Sequence, residues 1–160
     1  MKAARRDPRH RAREAALQIL YQWEIGKTDV ASAADTFFEL QWADATPPAD
    51  DLRGFATELA HDTVRRLAEA DALIADTAER WRPERMAVLD RLILRLAVTE
   101  LLRSLRPQAS RRPLGRDDLA PPAVVINEAL ELARTFSTED AVRFINGMLD
   151  SIRKKLEAAA

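Results

Sequence analysis

The 160-residue chain has no cysteine. Disulfides, thiolate metal sites and cysteine nucleophiles are thereby excluded, and nothing implies secretion. Glycine is scarce, at four residues, and none builds a glycine-rich phosphate loop. The two histidines, His10 and His61, form no HExxH metal pair, and no GxSxG nucleophile elbow is present. Carboxylates are plentiful, but acids on helical surfaces are usually solvated. These absences argue against an enzyme, and neither a cofactor nor a metal is expected. No apolar run reaches the length needed to span a membrane. The basic start is not followed by the apolar stretch of a signal peptide, so a cytoplasmic location is expected. An excess of one charge is also lacking: 25 basic residues against 26 acidic ones leave a net charge of −1.

That neutral balance makes the first residues conspicuous. Met1–Arg13 holds Lys2, Arg5, Arg6, Arg9, Arg11 and Arg13 against a single acid, Asp7. Each arginine offers planar donors suited to phosphate oxygens. Arg9 and Arg13 are four apart and share a helix face, and the positive end of the helix dipole adds to the attraction. A polyanion is the natural partner, with RNA the first choice. A major-groove reader presents polar base-reading residues on a supported helix face. Clustering at the very end of the chain instead favours single-stranded nucleic acid. Tyr21 and Trp23 are candidate base-stacking residues, although Trp23 falls on an apolar stripe and reads as core. The competing reading is a helical protein-interaction scaffold whose arm only adds solubility.

Almost every segment shows a helical period, so the fold class is all-α. Asp7 is the expected cap of the first helix, with Pro8 at its first position and Gly26 as its stop. The second helix starts near Asp29, with Val30, Ala33, Phe37 and Leu40 inward. Pro47–Pro48 breaks the chain. A third helix follows through Leu52, Phe55, Ala56, Leu59 and Leu67, and a fourth runs from about Asp71 towards Trp81. The segment Glu84–Leu105 is apolar around most of its circumference and reads as a central buried helix. Its charged residues Asp90, Arg91 and Arg95 are expected to reach a surface. Residues Arg106–Pro122 read as an unusually plain loop, with Arg111, Arg112 and Arg116 as a possible second basic patch. Ala123–Phe136 and a last helix complete the chain. Ser137 and Asp140 have capping-box spacing. Gly147 interrupts the last helix, which suggests that a neighbour approaches there. The expected organisation is a flexible basic arm at 1–8, an N-terminal subdomain at 9–82, and a C-terminal subdomain at 83–157 containing the 106–122 loop.

Four strings give the chain a family likeness. They are Arg11-Ala-Arg-Glu-Ala-Ala-Leu-Gln-Ile-Leu-Tyr-Gln-Trp23, Leu94-Arg-Leu-Ala-Val-Thr-Glu-Leu101, Val125-Ile-Asn-Glu-Ala-Leu-Glu-Leu-Ala133 and Phe144-Ile-Asn-Gly-Met-Leu-Asp150. Their order and spacing over nearly the whole chain resemble the NusB family of bacterial transcription antitermination factors. The resemblance implies about seven helices in two packed bundles. It implies binding of boxA-like single-stranded RNA together with small-subunit ribosomal protein ten. Other Nus factors and RNA polymerase complete the implied partners, and the outcome would be processive rRNA transcription. Some relatives self-associate, so a homodimer belongs among the implied states.

The resemblance also assigns residues. The family's arginine-rich motif falls on Arg9, His10, Arg11 and Arg13. His10 stands where a relative has arginine, and Arg5 and Arg6 are expected to compensate. An aromatic implicated in RNA contact lands on Phe144, whose alternative reading is core packing. Asp90 and Arg91 match positions facing the ribosomal-protein partner, and Asp140 matches an acidic position that tunes the same complex. Arg95, Asn127, Glu128, Glu131 and Asn146 also match and are read as structural. The long Arg106–Pro122 connection departs from the family pattern.

Overall fold

The computed structural model describes residues 8–42, 46–78, 82–106 and 119–159. Lys2, Arg5, Arg6, the Asp7 cap, Trp81 and the three loop arginines at 111, 112 and 116 lie outside the described residues. Among the described residues the regular structure is entirely helical. The chain divides into two compact units, one through His61 and one from Asp62. The division falls inside a helix, whereas the expected one lay after residue 82.

The first unit begins with α1, Pro8–Gly26. Proline suits this first position because its missing N–H has no partner inside the helix anyway. Ala12, Ala15, Ala16, Leu17, Ile19 and Leu20 form its buried face. Trp23 is only half-buried and Tyr21 is exposed. The helix ends at Gly26, but the left-handed residue after it is Lys27, at φ 56°. Helix α2, Val30–Thr36, is capped by Asp29, whose Oδ1 accepts the Ser32 N–H at 2.9 Å. That donated hydrogen bond holds the Asp29 carboxyl below its ordinary pKa.

A π-helical turn, Phe37–Gln41, then continues α2. It explains why one expected core residue is wrong. A regular helix would bring Leu40 inward after Phe37, yet Leu40 is 79 % exposed and Phe38 is buried instead. The wider turn shifts the register by one residue. Trp42, five positions after Phe37, then packs edge-on to that ring at 6.3 Å. The Pro47–Pro48 break leads into α3, Asp50–Arg65, whose residues Leu52, Phe55, Ala56, Leu59 and Ala60 are buried.

In the second unit, α4 is Leu67–Thr77, separated from α3 at Arg66. A 3₁₀ turn, Pro83–Arg85, precedes α5, Val88–Leu105. Helix α5 packs against α4, α6 (Pro122–Phe136) and α7 (Glu139–Ala159). Every residue from Arg91 to Arg103 is buried, as its apolar circumference predicts.

Arg91 and Arg95 of α5 are buried, contrary to expectation, while Asp90 is half-buried. Arg91, Arg95, Thr99 and Arg103 follow one another at four-residue spacing, and all are buried. Arg95 forms a two-pronged pair with Asp71, both bonds at 2.9 Å. Arg103 pairs with buried Asp62 at 2.7 Å. Arg91 Nη1 donates to the Pro83 carbonyl at 2.6 Å. Removing arginine from water is tolerable only with such partners.

Two details of α7 also differ. Thr138, not Ser137, caps it: Thr138 Oγ1 accepts the Ala141 N–H at 3.1 Å. A Cβ built at Gly147 meets nothing within 4 Å, so no neighbour explains that glycine.

Candidate nucleic-acid interface

Helix α1 turns about 100° per residue, so its arginine-rich first turns point in three directions. Arg9 and Arg13 lie on one face and meet the Phe55 ring of α3, at 4.3 and 5.4 Å from its centre. Arg11 lies elsewhere and covers the Trp42 indole at 4.5 Å. His10 Nε2 meets Glu14 Oε1 one turn later at 3.0 Å. Arg9, His10 and Arg11 are half-exposed. Arg13 is 4 % exposed, so it offers little surface to the phosphate that it is expected to reach. One turn deeper than Arg9, it lies where α1 is already covered, and its stem and guanidinium pack into the unit.

Trp42 is the aromatic that sequence reasoning missed. Tyr21 and Trp23, the aromatics the sequence offers beside the basic segment, lie on the same helix as the arginines. The π turn instead delivers Trp42 from the far end of the next helical segment. Its Nε1 donates to the Thr46 carbonyl at 3.1 Å, and Phe38 packs against it at 5.8 Å. The only hint in the sequence was an indole a few residues ahead of Pro47–Pro48. Arg53 repeats the pattern nearby: it lies over the Phe38 ring at 4.9 Å and pairs with Asp35 at 3.3 Å. Arg11 and Trp42 border a pocket of about 400 Å³ on one side and a hollow of about 100 Å³ on the other.

The remaining expected site residues belong to the second unit. Phe144 is 42 % exposed, so core packing is not its role. Asp140 is exposed beside Arg143, with which it pairs. Asp90 is half-buried and accepts the Ser137 hydroxyl, tying the start of α5 to the turn before α7. Arg91 is committed to the Pro83 carbonyl and buried, so it offers little surface to a partner.

The family model described as NusB family matches residues 10–110 and 116–154. A transcription antitermination protein NusB from Solibacter usitatus is 43 % identical over 148 residues, covering 92 % of this chain and 90 % of that one. The chain belongs to the NusB family. A second NusB, from Koribacter versatilis, is 41 % identical over 94 % of this chain and 91 % of its own. The solved structure of T. maritima NusB superposes with a TM-score of 0.74 at 28 % identity, covering 94 % of both chains. A crystal structure of antitermination factors NusB and NusE in complex with dsRNA shares the fold, with a TM-score of 0.69 over 92 % of this chain and 97 % of that one.

NusB proteins are transcription antitermination factors, RNA-binding regulators and not enzymes. The family match begins at His10, so Arg5, Arg6 and Arg9 precede it. It omits residues 111–115, which fall inside the connection singled out as long. Asn127 and Asn146 of the family strings are exposed, and Glu131 pairs with Arg134 at 2.5 Å. No helix among the described residues is long and apolar enough to cross a membrane.

Proposed function

We propose that this NusB-family chain binds boxA-like single-stranded RNA together with small-subunit ribosomal protein ten, in the cytoplasm, and supports processive rRNA transcription. The observation that favours this reading is the start of α1. There Arg9 and Arg11 are held half-exposed over Phe55 and Trp42. An aromatic face orients a guanidinium, and half-exposure leaves part of each planar donor edge within reach of phosphate oxygens. Arg5, Arg6 and His10 extend the same basic segment in sequence. Phe144 offers an exposed ring for a base in the second unit. A NusB of the same fold was crystallised with NusE and dsRNA, which supports a joint complex with a protein partner and RNA.

For the protein partner, Asp140 presents its carboxylate outward, while Asp90 and Arg91 act by shaping the surface. Asp90 holds Ser137, and Arg91 holds the Pro83 turn. Other Nus factors and RNA polymerase would join this pair, and a homodimer is the proposed resting alternative.

A gel-shift titration tests the reading. The full chain is titrated against boxA-like and unrelated RNA, with and without the ribosomal-protein partner, over a range of salt. Binding is expected to fall with salt, and the Arg9→Ala/Arg11→Ala variant should lower the log–log slope by about 0.7 for each phosphate contact removed. Equal affinity of variant and wild type at every salt concentration would leave only the scaffold reading.

A further inference from the structure

The pocket of about 400 Å³ beside Trp42 is large enough for a small ligand group. It lies between the start of α1 and the start of α3, lined by Pro8, Arg11, Trp42, Pro47, Asp51 and Leu52. We propose that it takes one unpaired nucleobase of the bound RNA, stacked against the Arg11–Trp42 pair with its edge towards Asp51. This rests on the RNA-binding reading above and adds a site and a base preference to it.

The lining chooses among the parts of a nucleotide. Asp51 places a carboxylate in the pocket, which repels phosphate. The indole, two proline-rich segment residues and Leu52 favour a flat, largely apolar group. A base offers such a face whatever its identity, and bases stack on aromatic rings and on arginine planes alike. Arg11 already lies on the indole at 4.5 Å, which makes a platform that is both flat and cationic. The platform is set before any ligand arrives. The Nε1–Thr46 hydrogen bond and the Phe37 and Phe38 rings fix the indole. Little freedom is then lost on binding. The neighbouring Arg9, on the adjacent face of α1, is placed for the backbone of the same strand.

Asp51 supplies the edge preference. An ionised carboxylate only accepts hydrogen bonds, through two oxygens. Oδ1 takes the Leu52 N–H at 2.9 Å. The carboxylate therefore suits a base with an exocyclic amino group, and disfavours uracil, whose one free donor, N3–H, is flanked by two carbonyl oxygens that a carboxylate repels.

The test uses the full chain and short single-stranded boxA-like RNAs in which each position in turn lacks its base. One position should matter, weakening binding between about five-fold and a hundred-fold when abasic. Trp42→Ala should erase that difference. Trp42→Phe keeps the packing on Phe37 and Phe38, so it guards against a folding defect. In this variant the RNA-induced quenching of tryptophan fluorescence should fall sharply. Placing uracil at the sensitive position should weaken wild type more than Asp51→Asn. If no abasic position matters and fluorescence is unmoved, while binding remains salt-dependent, the pocket assignment is overturned and RNA binding stands. If wild type shows no salt-dependent RNA binding, the underlying reading fails and the pocket falls with it.

Discussion

The two units surround arginine differently. In the first, Arg9, Arg11, Arg13 and Arg53 lie over aromatic rings, and Arg53 also pairs with Asp35. In the second, Arg66, Arg95 and Arg103 are buried against Glu69, Asp71 and Asp62. A ring holds a guanidinium by its quadrupole, whereas a buried carboxylate holds it by opposite charge. The start of α1 keeps Arg9 and Arg11 half-exposed, and in the second unit Arg95 and Arg103 join α5 to the helices before it. Counting arginines reveals neither outcome, because the same residue serves both.

The largest expected effect breaks a pair in the second unit. Arg103→Ala leaves Asp62, which is 1 % exposed, with only its Arg65 pair at 3.0 Å, and should destabilise the protein by up to about 3–5 kcal/mol in urea unfolding. Arg103→Met combined with Asp62→Leu should recover most of that loss. If the single variant were as stable as wild type, the contrast between the units would lose its energetic basis.

Arg13 sharpens the comparison from the other side. It sits in the arginine-rich segment that the resemblance matches to RNA contact, yet it is buried over Phe55. Arg13→Ala should cost about 1–2 kcal/mol of stability. Its salt slope for RNA should match wild type, unlike that of the Arg9→Ala/Arg11→Ala variant. A lowered slope would place Arg13 among the phosphate contacts after all.

Backbone positions give smaller effects, one in each unit. Gly147→Ala should stabilise α7 by about 1 kcal/mol, because open space surrounds the new methyl group. A thermal melt that shifts downward would reveal a neighbour there. In the first unit, Asp29 gives a weak pH dependence. Its lowered pKa means that the charged form stabilises the fold above the ordinary carboxylate value. This contribution is lost as pH falls through the lowered folded-state pKa. Asp29→Asn keeps a cap but should flatten that part of the stability–pH curve. An unchanged curve would remove Asp29 from the account.

Much of the fold was legible because it rests on local patterns. Pro8 and Gly26 mark the two ends of α1, and the apolar circumference of α5 announced its central place. Errors arose where one residue of register or one distant partner decided the result. Leu40 was placed inward because a 3.6-residue period continues smoothly in sequence, and a π turn interrupts it without a distinctive residue. Ser137 was read as the cap of α7, yet Thr138, one residue on, does that work and leaves Ser137 for Asp90. At the site, the basic motif was legible, but its division into exposed and buried arginines was not. Trp42 was missed because only folding brings it to Arg11, across a stretch of 31 positions.

By itself the amino-acid sequence determined the helical class, the position of the buried central helix and the concentration of positive charge before and within α1. These follow from periodicity, proline and glycine placement, and the ordering of charges along the chain, all of which act over a few residues. The tertiary structure alone decided which arginines stay half-exposed and which are buried. That choice depends on the group that meets each guanidinium in space: Phe55 or Trp42 in one unit, Asp62 or Asp71 in the other. Those partners lie 24 to 46 positions away from the arginines they meet, beyond the reach of any local pattern.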